Sequence, residues 1–119
     1  MIMLMDVLTL LRGELLTPDA SLEIACPKVF ASDLMSDVLA SAEPGSLLLT
    51  GLANSHVVST CAVADLAAVV FVRGKRPLAA VVEEARAKSL PLITTGMSMF
   101  EACSALADCI KLKDPAHGR

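Results

Sequence analysis

Apolar positions fall along this chain in short blocks, and Gly and Pro separate the blocks. Val7, Leu8, Leu10 and Leu11 predict a first helix, stopped by Gly13 as its C′ residue. Residues 14–17 read as a short strand ended by Pro18-Asp19, and residues 28–32 as another after Pro27. Leu34, Val38, Leu39 and Ala42 recur at i, i+4, i+5 and i+8, one face of a helix that Pro44-Gly45 ends. Residues 46–50 are a short apolar run, hence a buried strand. Val57, Val58, Cys61 and Ala62 line the next helix, with Asn54 as its N-cap. Residues 67–72 are the clearest strand. Pro77 at N1 opens a helix whose inner side is Leu78, Val81, Val82 and Ala85. Residues 91–94 form a further strand. Ser98 and Glu101 make a capping box for a last helix with Phe100, Cys103, Ala107 and Ile110 inward. From residue 46 the order is strand-helix repeated three times. Continuously apolar strands between helices predict an α/β fold, a small mostly parallel sheet with helices on both faces.

Composition locates a surplus. The 119 residues are 55% hydrophobic, and the six glycines bring the apolar share to roughly 60%, against about 45–50% for an ordinary soluble domain. Disorder is excluded, and the length suits one domain, residues 1–112, with a flexible polar tail at 113–119. The surplus concentrates in Met1, Met3 and Met5, read as flexible packing or interface material, and in the segment before residue 42. That places an assembly surface on helix 32–42 and the stretch before it, at Val29, Ser32, Asp33, Leu34, Met35, Asp37 and Val38.

Ten Lys and Arg against thirteen Asp and Glu leave a net charge of −3, which argues against a nucleic-acid binder. Three Phe with no Trp or Tyr offer no stacking platform for bases. No apolar run reaches the ~18–20 residues of a membrane span, and the Met1–Met5 opening lacks a basic n-region, so the expected compartment is the cytoplasm. Cys26, Cys61, Cys103 and Cys109 have no C-x-x-C spacing and read as small buried hydrophobes. His56 and His117 are too few and too far apart for a metal set, so neither metal nor cofactor is expected.

Chemistry has one natural place. In a parallel α/β sheet, ligands bind beyond the carboxyl ends of the strands. Three predicted loops leave such ends, at 50–55, 73–76 and 94–98, and each feeds a helix N-terminus that favours an anion. Arg73, Lys75 and Arg76 add three positive charges in four residues. The candidate ligand residues are Thr50, Asn54, Arg73, Lys75, Arg76, Thr94, Thr95 and Ser98. The plainer reading makes Asn54 and Ser98 caps, Gly51, Gly74 and Gly96 turn residues, and the basic cluster a solvated rim. Neither G-x-x-x-x-G-K-[ST] nor G-x-G-x-x-G occurs. Asp33 and Asp37, four apart on one predicted helix, read as a helix-dipole charge and a polar or interface contact. Ser36, Ser55 and Ser59 lack a His–carboxylate arrangement, and His56 reads as a surface or capping residue.

Several segments, in order, resemble the DRTGG-domain family. Ser32-Asp33-Leu34-Met35-Ser36-Asp37-Val38 is similar to its S/C-D-L-L-S-D-V segment, and Pro44-Gly45-Ser46-Leu47 with Thr50 to its E-G-D-x-W-I-T strand. Asn54 and Val57 resemble its H-x-N-x-x-A-V helix start. Asp65-Leu66-Ala67 leads into a strand closed by Gly74-Lys75-Arg76-Pro77, like its G-x-x-P. Pro91-Leu92-Ile93-Thr94-Thr95 and Ser98-Met99-Phe100-Glu101 resemble I-P-L-L-x-T and S-x-F-E. The match covers nearly the whole chain. It departs at the naming motif: Ala25-Cys26-Pro27-Lys28-Val29 stand where D-R-T-G-G is expected, and no His precedes Asn54 in the H-x-N position. The resemblance implies a fold related to the N-terminal domains of HPr kinase and muramyl ligases. It also implies a regulatory or assembly role, typically homodimeric, and stand-alone relatives beside iron-only hydrogenase genes. The leading expectation is therefore a non-catalytic module that self-associates as a homodimer. The alternatives are a sensor of a phosphate ligand or adenine nucleotide at the strand-end loops, and an accessory protein of a hydrogenase or redox system.

Overall fold

A strand with no polar residue has no face for water, so both of its faces must be covered. The structure, a computed structural model, describes residues 1–113 and meets that demand with helices on each side of the sheet. The predicted tail lies outside the described residues except for Lys113, and so does His117. The elements are β1 (Ile2–Met3), α1 (Leu4–Leu10), β2 (Glu14–Leu15), β3 (Ala25–Cys26), β4 (Val29–Ala31), α2 (Met35–Ser41), β5 (Leu47–Thr50), α3 (Ser55–Ala64), β6 (Ala68–Phe71), α4 (Ala79–Ala87), β7 (Leu92–Thr94) and α5 (Met99–Lys113).

The main sheet has the order β2-β7-β6-β5-β4. Its β4–β5, β5–β6 and β6–β7 pairs are parallel, and β2 closes one edge antiparallel to β7. The α/β architecture with a mostly parallel sheet is thus as predicted. Successive strand residues serve two cores. Leu47, Leu49, Ala68, Val70 and Ile93 pack with Leu4, Val7, Leu11, Ala102 and Leu106 of the α1–α5 side. Leu48, Val69, Phe71 and Leu92 pack with Val38, Val57, Cys61, Val81 and Ala85 of the α2–α3–α4 side.

Several local readings are corrected. Ile2 and Leu4 are fully buried, and β1 pairs antiparallel with β3, so the opening segment alternates between core and solvent. Only Met1, Met3 and Met5 remain outward. Gly13 is not C′ of α1. Arg12 takes the left-handed conformation there (φ 50°), with its N–H on the Thr9 carbonyl and the Gly13 N–H on that of Leu8. This is a Schellman ending, in which Gly13 is C″. Pro77 is not N1 of α4: Leu78 is the N-cap, extended at ψ 156° and 78% exposed. Before it, the Lys75 carbonyl is held by Thr94 and the Arg76 side chain by Glu14, so the chain runs extended further than the proline suggested. Phe100 is 82% exposed instead of inward. Ala102 and Leu106 face the sheet, and Phe100, two residues before Ala102, lies about 200° round the helix. Leu34 and Leu39, assigned to one inner face with Val38, are exposed, and Met35 replaces them in the core.

Candidate functional site

The loops at the carboxyl ends of β5, β6 and β7 lie together, because backbone hydrogen bonds stitch them. Val72 N–H donates to Thr50, Arg73 N–H to Met97 (2.8 Å) and Gly74 N–H to Thr95 (2.7 Å). Side chains complete the seam. The Thr50 hydroxyl donates to Asp33 Oδ1 (3.1 Å), which also accepts the Gly51 N–H (2.6 Å). Thr94 donates to the Lys75 carbonyl (2.7 Å), and Thr95 to the Leu11 carbonyl (2.6 Å). Asn54 caps α3 through the Val57 N–H. Ser98 and Glu101 form the reciprocal capping box at α5, and the hydrogen bonds from Ser98 hold the Glu101 carboxyl below its ordinary range. These polar groups therefore have internal partners, close to the plainer of the two sequence readings.

The basic cluster is divided. Arg73 lays its guanidinium across Gly51, where a Cβ would overlap it. Arg76 points the other way, past β7, and grips Glu14 of β2 with two bonds of 2.9 Å. That grip holds the Glu14 carboxyl below its ordinary value and raises the Arg76 guanidinium. Lys75 is exposed between them. On the Arg76 side lies a polar cleft of about 200 Å³, lined by Arg12, Glu14, Gly74, Arg76, Thr94, Thr95 and Gly96. Arg12 and Glu14 went unnoticed in the sequence. Arg12 lies in the α1–β2 turn and Glu14 opens β2, and the antiparallel pairing Glu14↔Thr94 carries both to the strand ends.

The expected assembly residues also divide. Asp33 precedes the Leu34 N-cap, so it does not share a helix with Asp37, and it serves the Thr50–Gly51 turn instead of the α2 dipole. Met35 and Val38 are buried in their own core. Leu34 and Asp37 are exposed, and Val29 and Ser32 are half-buried. Beside Val29 an apolar groove of about 330 Å³ runs between β4 and α5, lined by Val29, Ala31, Cys103, Leu106, Ala107 and Ile110. Among the described residues no three His, Cys, Asp or Glu side chains gather to hold a metal ion, and no helix is long and apolar enough to cross a membrane.

One solved structure overlays 87% of the chain with a TM-score of 0.70 at 14% identity: the CBS and DRTGG domains of the regulatory region of Clostridium perfringens pyrophosphatase, complexed with its activator, diadenosine tetraphosphate. The fold is DRTGG-like. The chain spans 45% of the length of that structure. No family model and no curated protein sequence matches it. In this DRTGG-like fold the place of the naming motif, residues 25–29, holds β3, Pro27 and the start of β4. Cys26 there is buried against β1, and Lys28 pairs with Glu43 at 2.9 Å.

Proposed function

We propose that the chain is a non-catalytic regulatory or assembly module that acts as a homodimer through its β4 edge. One observation carries this reading. Lys28 C=O accepts from Leu47 and Ser32 N–H donates to Leu49, so alternate residues of β4 bond inward and Val29 and Ala31 turn their N–H and C=O groups out. An open edge of this kind templates another strand. A two-fold axis through Phe30 would set Val29 opposite Ala31 of the second copy, exchanging reciprocal hydrogen bonds on each side of a Phe30–Phe30 pair. The apolar groove beside β4, with the exposed Leu34 and Leu39 of the α2 segment, supplies the hydrophobic part of a self-complementary interface. The regulatory role of the similar domains supports the same reading.

Ala31→Pro tests it. The substitution removes an outward N–H and leaves the β4–β5 ladder intact. Sedimentation equilibrium at micromolar concentration is expected to give a dimer for the parent and a folded monomer for the variant. A monomeric parent would overturn the proposal.

A second reading, a sensor of a phosphate-bearing ligand or adenine nucleotide, is favoured by the polar cleft at the strand ends and by the nucleotide activator of the similar regulatory region. Thermal-shift measurements with AMP and ATP test it; no shift with either would count against it. An accessory role in a hydrogenase or redox system would instead appear as stoichiometric iron in anaerobically purified protein.

A further inference from the structure

We propose that the cleft between the α1–β2 turn and the β6–α4 loop is a site for one phosphoryl group, gripped by Arg12 and Arg76. The inference rests on the sensor reading and deepens it, moving the site from the centre of the strand ends to their β7 side.

The cleft is built. The Schellman ending of α1 throws Arg12 outward in a left-handed conformation, and Gly13 sits so close to β7 that a Cβ would come 2.7 Å from Ile93 Cγ2. The buried Thr95 hydroxyl ties the Leu11 carbonyl to the β7 loop, and the Gly74 N–H ties the opposite wall to the Thr95 carbonyl. The Arg12 backbone is thereby anchored at one side of the cleft and the Arg76 side chain is held by Glu14 at the other, with Thr94, Thr95 and Gly96 between them.

The donors are in excess. Among the described residues the Arg12 guanidinium has no hydrogen-bond or ion-pair partner. Arg76 gives Glu14 one N–H from each Nη, and a guanidinium carries five. Glu14 thus orients Arg76 without exhausting it, and the two arginines outweigh the single carboxylate. Guanidinium forks suit phosphate oxygens. At about 200 Å³ the cleft falls below the roughly 300–1,000 Å³ of sites that enclose whole drug-sized ligands. It fits a phosphoryl head whose remainder stays outside. Nothing bulky closes the entrance at Gly74 or Gly96, where an added Cβ would meet nothing within 4 Å.

The experiment is an amide chemical-shift titration of the full chain with inorganic phosphate and, separately, with AMP. Shifts are expected at Gly74, Thr95 and Gly96. Arg12→Asn, chosen because Asn tolerates the left-handed conformation, and Arg76→Gln should each weaken binding at least tenfold. Arg73→Gln, across β6 on Gly51, should leave it unchanged. Glu14→Gln should strengthen it severalfold by removing the carboxylate charge. Equal affinity for phosphate and AMP would identify the free ion as sufficient, whereas tighter AMP binding would identify a nucleotide end; both support the site. AMP binding that survives Arg12→Asn and Arg76→Gln would overturn this site while leaving the sensor reading intact. Absence of any shift with either probe would overturn both.

Discussion

Gly13 shows how much one hydrogen atom decides. Its Cα faces β7 so closely that a methyl group would meet Ile93 Cγ2 at 2.7 Å and the Thr94 carbonyl at 3.2 Å. Ile93 is fully buried and the carbonyl is backbone, so neither yields readily. Gly13→Ala is expected to cost about 1–3 kcal/mol, a fall in Tm of roughly 3–15 °C; an unchanged Tm would show that α1 can slide. The carboxylates make a second residue-scale case. Arg76 lowers the pKa of Glu14, Arg86 that of Asp19, and the Ser98 N–H and hydroxyl that of Glu101. A carboxyl lowered in the folded state contributes stability above its unfolded pKa and loses it as pH falls through the folded one. Tm should therefore be flat above the ordinary Glu value of 4.5 and decline below it. Glu101→Gln keeps the capping geometry and removes the titration, so its acid-side slope should be shallower; an identical slope would count against the capping carboxylate.

At the scale of elements, three helices end alike. After α1, α3 and α4 the left-handed positions are held by Arg12, Asp65 and Ser89, none of them glycine. At α4 the Ser89 N–H reaches the Arg86 carbonyl and the Leu90 N–H that of Ala85. A non-glycine residue in that conformation costs roughly 1–2 kcal/mol, partly offset in a glycine by greater chain entropy. Ser89→Gly should stabilise by about 0.5–1 kcal/mol in urea unfolding, with the midpoint moved and the slope unchanged. Such endings leave little trace in sequence, which is why Gly13 was assigned the wrong position. The strands were legible for the opposite reason. Leu47-Leu48-Leu49 and Val69-Val70-Phe71 have no polar residue to expose, and each run could only be a doubly covered strand. The Asn54 cap and the Ser98–Glu101 box were equally plain, because a cap is a local pattern. Strands β1 and β3 were not, since outward Met1, Met3 and Met5 hide the alternation that buries Ile2 and Leu4.

At the scale of the whole molecule, the thiols report on assembly. Burial pushes the Cys61 thiol up to about 12 and raises Cys26, so both should resist iodoacetamide at neutral pH until the chain opens. Burial also raises the Cys103 thiol, half-buried in the groove beside β4, so it should label slowly in dilute protein and more slowly still as concentration rises. Labelling independent of concentration would argue against a covered groove. Of the candidate ligand site, the three loops that leave strand ends were legible from the alternation of strands and helices along the chain. The parting of Arg73 from Arg76 was not, because it depends on which neighbour each side chain reaches, Gly51 or Glu14. A sheet of this kind also has two ends, and they differ. The β4 end turns out the N–H and C=O groups of Val29 and Ala31. The β2 end is two residues long, its Glu14 is tied down by Arg76, and Pro18 follows close behind. A particle with one usable end has a valence of one. The pairing proposed through β4 would consume that valence in a single step, so addition would stop at two copies and would not run on into a fibre.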